Sequence, residues 1–462
     1  MIRVHAQTRE VLVEVSPLIE TTRNGGGNGS VFVPLHTLEQ RERRADDGQP
    51  ALSPLHDFMR KLRQPAVIEQ LRAYVRWQAA WRTGYRQGMS FEHALESAPD
   101  HAPLSINLDA TTACNYRCDH CVDMDILNTG IRFDHERLKD SLDQLAAKGL
   151  RSVIIIGGGE PTVYPGFTDL VGHLKGLGIQ LGIVTNGSRM DRVEAVADAL
   201  DGADWVRLSL DSGTNETFAT MHKPHRESIT LDWICDQIPA VKARNPALQI
   251  GFSFIIAWNE CRANDADIID NVEEIVPAAR LAREHGFDYI SYKPFLIRAQ
   301  SNNAEIVELS RDGQPVDPVM ARIRIQVDQA KTLQTDSFRV VESTNLRVFE
   351  NGSHRDYCDQ PRNCHMQFFR QVLSPLGIYN CPVYRHVPHA LLGGKHACST
   401  AQGQRETLHN TLRLIESFDA SRECQEVTCL YNDANWFIED LVRNPDKLDA
   451  LEASGDRGDY FL

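Results

Sequence analysis

Between Leu104 and Pro294 short apolar runs alternate with amphipathic stretches, and this rhythm limits the chain to folds built on a parallel sheet. Six strand candidates stand out: Leu104–Asp109, Ser152–Ile156, Gln180–Thr185, Trp205–Leu210, Gln249–Ile256 and Tyr289–Pro294. The stretch between the first two reads as a helix. Asp134 can cap its start, Leu138, Leu142 and Leu145 share one face, and Gly149 can end it. Right-handed crossovers curl six such units into an open, partial (βα)6 barrel of the α/β class, whose functional face lies at the C-terminal ends of the strands.

At 462 residues the chain exceeds what one hydrophobic core usually serves, so appended units are expected on either side. Residues 1–100 read as an N-terminal α+β extension. Glu10-Val11-Leu12-Val13-Glu14-Val15 alternates as a strand, Asn24 to Gly29 forms a Gly/Asn-rich turn, and Ser30-Val31-Phe32-Val33 can return as a hairpin partner. From Ser53 to about Tyr85, Leu71, Tyr74, Val75 and Trp77 recur at helical spacing. Residues 101–300 carry the barrel, 301–350 read as a connecting segment, and 351–462 form a cysteine-rich domain.

Hydrophobic residues make up 42% and charged residues 24%, as in ordinary globular chains. No apolar run reaches the roughly 18 residues that span a bilayer, and MIRVHAQTRE lacks the apolar stretch of a secretory signal. A cytoplasmic protein with no membrane partner is expected. The net charge of −14 disfavours nucleic acid and suits a cationic small molecule, although acidic residues spread for solubility give the same number. Eleven cysteines in a large chain without a signal point to metal ligation rather than to disulfides, with Cys235 and Cys261 expected as buried thiols.

Cys114, Cys118 and Cys121 lie in one tight loop directly after the first strand, where a parallel barrel places its active site. Three thiolates suit a four-iron cluster with one iron left open to a cofactor. Cysteine and histidine at this spacing, here with His120, also suit tetrahedral zinc.

Cys-x3-Cys-x2-Cys in this position resembles the radical S-adenosylmethionine (SAM) superfamily, over about Leu104 to Pro294. The resemblance implies a [4Fe–4S] cluster whose open iron is chelated by SAM. An external electron donor such as flavodoxin or ferredoxin would drive cleavage of SAM to methionine and a 5′-deoxyadenosyl radical, which abstracts hydrogen from substrate. Gly158-Gly159-Glu160-Pro161 looks like the family's turn after the second strand, whose carbonyls would accept bonds from the SAM ammonium. His120 matches the aromatic position beside adenine. Asn186, Ser209 and Asp211 are placed at strand ends to bond the ribose or carboxylate, with turn capping as the rival role for Asn186 and Asp211. Arg207, a cation inside an apolar strand, is expected to face an anion: the SAM carboxylate, or Glu160 or Asp211 as a structural partner. Lys293, with Tyr292, invites a substrate or proton-transfer role, against the ordinary role of a snorkelling lysine.

A second set, Cys364, Cys381, Cys424 and Cys429, can close another four-iron cluster or hold structural zinc. Leu373 to Cys381 reads as a hairpin that delivers its cysteine at the far end. The region resembles the auxiliary-cluster SPASM or twitch extension, closer to the shorter twitch form. It departs from the pattern in its final Cys-x4-Cys and in leaving Cys358 and Cys398 over.

The resemblance leads to a radical SAM lyase or oxidoreductase acting on a natural product. Acidity favours an amino sugar or aminocyclitol, with the dehydration or dehydrogenation chemistry of aminoglycoside antibiotic biosynthesis. The alternatives are a peptide-modifying maturase or epimerase and a non-catalytic iron–sulfur electron-transfer protein.

Overall fold

A computed structural model describes residues 57–307 and 317–462; the strands and turn expected within residues 10–33, and the start of the helical stretch at Ser53, lie outside them. The described chain is built on one ten-stranded sheet. In chain order its strands are β1 Ser105–Leu108, β2 Ser152–Ile155, β3 Gln180–Thr185, β4 Trp205–Ser209, β5 Gln249–Ile256, β6 Tyr289–Pro294, β7 Arg339–Glu342, β8 Arg370–Ser374, β9 Gly377–Tyr379 and β10 Leu391–Gly393. All six expected strands are present, within one or two residues at their ends.

The spatial order is β7-β6-β5-β4-β3-β2-β1-β8-β9-β10, parallel from β7 through β8 and antiparallel across the last two pairings. Eight parallel strands therefore replace the expected six. β7 comes from the segment read as a connector, and β8 from the segment read as a separate domain. Both pair edge strands whose backbone groups would otherwise be left open: β7 on β6 and β8 on β1. The cysteine-rich region thus continues the barrel sheet through β8, Ser105 pairing with Arg370 and Leu108 with Leu373.

Helices cover one face of the sheet. The first, His135–Ala147, behaves as its sequence predicts: Asp134 caps it by accepting from Arg137 N at 3.1 Å, Leu138, Leu142 and Leu145 are buried, and Gly149 turns the chain at φ +107°. On β4 the side chains of Val206 and Leu208 are fully buried against this helical layer, while those of Arg207 and Ser209 point to the opposite face, the barrel lumen. Residues 458–462 close the other end of the barrel. Gln180 Nε2 donates to Gly458 O at 2.8 Å, Ser152 Oγ donates to Tyr460 O at 2.8 Å, and Phe461 packs 5.3 Å from the Trp205 ring. Ser152, Gln180 and Trp205 each begin a strand, so the tail seals the N-terminal end and leaves the C-terminal mouth open.

A second core lies between α1 Ile68–Arg86, α2 Ala401–Ser417 and α3 Asn432–Arg443. Leu71, Tyr74, Val75 and Trp77, singled out by their spacing, are all buried in it. A polar chain crosses this core: Tyr74 Oη lies 2.8 Å from His365 Nδ1, His365 Nε2 lies 2.9 Å from Glu439, and Arg82 donates to both Glu439 oxygens at 2.7 and 2.9 Å. Burial alone would raise the Glu439 pKa, but the bonds from His365 and Arg82 hold it well below the carboxylate range. Glu439→Ala leaves the half-buried Arg82 and the buried His365 without their acceptor and is expected to cost about 1–3 kcal/mol in urea unfolding. Because the carboxylate is depressed in the fold, this stabilisation is complete above the unfolded value of about 4.3 and is lost as pH falls below it. The difference between wild type and variant should therefore shrink on acidification.

Candidate active site

The loop after β1 carries Cys114, Cys118 and Cys121 at the open mouth, each partly accessible. It is held by backbone contacts to the β2 turn and by side chains from β3. Glu160 N donates to Ala113 O at 2.9 Å. Asn115, inside the loop, accepts from Asn186 Nδ2 at 3.0 Å and donates to Ser188 Oγ at 2.8 Å. Asn186 thus acts here as a tie between β3 and the cysteine loop.

The β2 turn needs its glycines for different reasons. Gly158 sits at φ +70°, where a side chain is strained, and its N–H donates to Asp123 at 3.1 Å. Gly159 needs room, since a Cβ there would stand 2.3 Å from Ala113 O. Glu160 is buried and its two oxygens accept from Thr162 N at 2.9 Å, Thr162 Oγ1 at 2.5 Å, Thr185 Oγ1 at 2.6 Å and Asn186 N at 2.7 Å. Its carboxylate therefore pins β2 to β3, with Pro161 beginning the short turn that Glu160 caps. That leaves the carbonyls of Gly158 and Gly159, rather than the Glu160 side chain, as the turn's candidate acceptors for a ligand.

Asp211 is the hub of the β4 end. It adopts φ +50°, is buried, and accepts from Ile255 N at 2.7 Å. His120 Nε2 lies 3.2 Å away, and His222 Nε2 lies 3.4 Å away. Burial opposes its charge, but the bond from His120 and the two nearby rings lower its pKa overall. His222 also stands 3.2 Å from the Cys118 sulfur through Nδ1, an arrangement that sequence reading missed because 104 residues separate the two. Burial pushes His222 down to about 4 against the pull of Asp211.

In the lumen, Arg207 lies over the Trp205 ring at 5.3 Å and its Nε has no hydrogen-bond partner. Among the described residues it pairs with neither Glu160 nor Asp211, so neither structural pairing expected of it is made. Lys293 Nζ donates to Ser253 Oγ at 3.2 Å, and burial followed by the Arg207 charge drives its pKa well below the usual lysine range. Ser209 faces the same space from β4. Tyr292 does not. It alternates to the helical face, where its hydroxyl donates to Ile275 O at 2.6 Å and its ring packs on Phe254, so contrary to the expectation it packs in the core and does not reach the site.

Cys364, Cys381, Cys424 and Cys429 line one cavity of about 490 Å³ counted to its mouth, walled by Met366, Tyr384, Phe418 and Tyr431 among others. Cys358 is not part of its lining, its sulfur donating to His354 O at 3.6 Å, and Cys398 is buried elsewhere near Thr407. Cys235 and Cys261 are buried in the barrel core, as expected. Between the two cysteine sets runs a band of buried charge. Arg385, four residues after Cys381, reaches Asp123 at 3.1 Å, Asp109 at 3.5 Å and Glu305 at 3.7 Å, and His386 lies 3.3 Å from Asp109.

The donor sets fit iron–sulfur clusters. In the first loop burial raises Cys114 to about 11 and Cys121 to about 12 and lifts Cys118 well above the usual thiol value, with the neighbouring sulfurs adding to the rise at Cys118 and Asp123 and Cys114 to that at Cys121. Three such thiols ionise together only when a cationic centre takes their charge. Cys381, Cys424 and Cys429 resist ionisation because of burial and the neighbouring sulfurs of the set, while Cys364 is raised by burial against the hydrogen bonds it receives.

Residues 109–258 match the Radical SAM superfamily. The chain is 37% identical over 113 residues to an S-adenosylmethionine-dependent nucleotide dehydratase of Thermoplasmatales archaeon strain ISO4-H5, covering 23% of this chain and 38% of that protein. It is 28% identical over 274 residues to a protein of the same name from Selenomonas ruminantium, covering 55% and 95%. To the mycofactocin maturase MftC of Mycobacterium ulcerans strain Agy99 it is 34% identical over 127 residues, covering 27% and 32%. It thus spans about a third of two of these relatives and nearly all of the other. No helix among the described residues is long and apolar enough to cross a membrane. The family implies a [4Fe–4S] cluster and SAM, and the chain carries a radical SAM superfamily domain at residues 109–258, with Cys114, Cys118 and Cys121 on the loop near its start.

Proposed function

We propose that this chain is a cytoplasmic enzyme that uses the radical SAM reaction on an amino sugar or aminocyclitol, removing a hydrogen atom in the course of a dehydration or dehydrogenation. When bound, the cluster and SAM supply a 5′-deoxyadenosyl radical on receipt of an electron from a flavodoxin- or ferredoxin-class donor. The chain's own residues bind, orient and keep out water. The backbone of Gly158 and Gly159 offers the ammonium of SAM its acceptors. Ser209 and Arg207 face the lumen, where a carboxylate can meet them, and His120, within the loop, takes the place beside adenine that the family resemblance gives it. Cys364, Cys381, Cys424 and Cys429 hold an auxiliary cluster of the SPASM or twitch kind. With all four sites filled by thiolate, it suits electron transfer rather than substrate binding.

The observation that carries this reading is the cysteine loop seated on the Gly159–Glu160 turn at the one open end of the barrel. The carboxylates of Asp109, Asp123 and Glu305, partly offset by Arg385 and Arg298, lie between the two cysteine sets and favour a cationic substrate. Dehydration is favoured by the relatives named dehydratases. A second reading, a nucleotide substrate, is favoured by Arg207, a lumen cation with no carboxylate partner among the described residues.

Anaerobic reconstitution followed by SAM and dithionite tests these readings. About eight irons per chain are expected, falling to about four in Cys364→Ser. 5′-Deoxyadenosine formation should rise on adding aminocyclitols and not on adding nucleotides or peptides. Stimulation by nucleotides alone would select the second reading, and stimulation by peptide would make the chain a maturase.

A further inference from the structure

Cys118 has neighbours that an iron–sulfur cluster does not use. His222 ends the helix Asn215–His222, and its ring is buried against the cysteine loop. Its Nδ1 is 3.2 Å from the Cys118 sulfur, while its Nε2 is 3.0 Å from the Leu210 carbonyl and 3.4 Å from Asp211. The His120 side chain is 8% exposed. Its Nε2 is taken up by the same Asp211 carboxylate at 3.2 Å, and its Nδ1 is buried without a hydrogen-bond partner. One ligand atom from each of Cys118, His120 and His222 lies within 4.8 Å of the other two.

Both rings share one design. An outer nitrogen is held by a carboxylate or carbonyl, which orients the ring and leaves the other nitrogen for a cation, as outer-shell partners do for metal-bound histidines. One thiolate, two imidazoles and an open fourth position suit a zinc-class divalent ion. We propose that Cys118, His120 and His222 bind such an ion in the cluster-free chain. Ion binding releases the Cys118 thiol proton to solvent and forms one metal–sulfur and two metal–nitrogen bonds, with no change of oxidation state. Cys118 cannot serve this ion and a cluster together, so the ion competes with cluster assembly. The competition rests on the reading of Cys118 as a cluster ligand; the ion site does not.

Titration of the full chain, freed of iron and sulfide under anaerobic conditions, with Co²⁺ tests the site. One equivalent should bind, with thiolate-to-cobalt charge-transfer absorption and the intense visible bands of four-coordinate cobalt. His222→Gln and His120→Gln should each weaken binding by about tenfold or more, and Cys114→Ser should leave it unchanged. Circular dichroism checks folding, and His120→Gln, in the loop at the mouth, disturbs the core less than His222→Gln. Absence of thiolate-to-cobalt absorption overturns the proposal. So does binding that Cys114→Ser abolishes and the histidine variants leave intact, which places the ion on three cysteines. Zn²⁺-loaded wild type should take up iron and sulfide more slowly than the metal-free chain, and His222→Gln should show no such delay. Equal uptake by loaded and metal-free wild type overturns the competition while leaving both the ion site and the cluster reading standing.

Discussion

Replacing Cys118 with alanine is expected to reduce SAM cleavage to the uncatalysed background. The three sulfurs of the loop have no spare among them: Cys235 and Cys261 are buried in the barrel core, and the cysteines beyond residue 350 belong to the far side of the Arg385 band. A loop left with Cys114 and Cys121 cannot hold three irons and present the fourth. Measurement of 5′-deoxyadenosine after anaerobic reconstitution checks the outcome. On the proposed auxiliary site, about four irons should remain, because Cys364, Cys381, Cys424 and Cys429 draw on other elements of the fold. Retention of SAM cleavage would remove the cysteine loop from the chemistry.

The second large effect is expected from Gly159→Ala. The added methyl would stand 2.3 Å from Ala113 O and 2.8 Å from the carbonyl carbons of Ala113 and Thr112. These are backbone atoms, so no rotamer change relieves the clash. Either the turn or the cysteine loop must move, and the Glu160 N to Ala113 O bond lengthens in either case. Overpacking of this kind costs about 1–3 kcal/mol. Its larger consequence is functional, because the same displacement shifts the sulfurs of the loop and the carbonyls proposed to face SAM. Iron content and SAM affinity should both fall, while the melting temperature drops only moderately. Gly172→Ala is the control. It lies within the helix Phe167–Gly176 with open space at its Cβ position, and alanine there should be neutral or stabilise by up to about 1 kcal/mol. Equal loss of iron in both variants would show that the Gly159 contact has no special role.

The elements differ in how far they could be read in advance. Strands β1 to β6 were legible because each is a short apolar run with glycine- or cap-bounded helices between, and periodicity reports burial directly. β7 and β8 were not. Arg339-Val340-Val341-Glu342 and Arg370-Gln371-Val372-Leu373-Ser374 carry at least as many polar as apolar residues, and what makes them strands of the barrel is the open edges of β6 and β1. Tyr292 and Lys293 were read together as neighbours in sequence. Alternation along β6 sends one to the helical core and the other to the lumen.

The sequence by itself determined the barrel, the cysteine loop at its mouth and the grouping of four further cysteines, since local spacing and periodicity encode them. Only the tertiary structure decided which side chains meet. His222 reaches Cys118 from 104 residues away, Glu160 is consumed in pinning β2 to β3, and Arg385 joins Asp109 and Asp123 between the two cysteine sets. Such contacts arise where the C-terminal ends of strands converge. The physical reason is that a parallel barrel gathers residues far apart in the chain at one end, so their proximity is a property of the sheet order and leaves no local mark in the sequence.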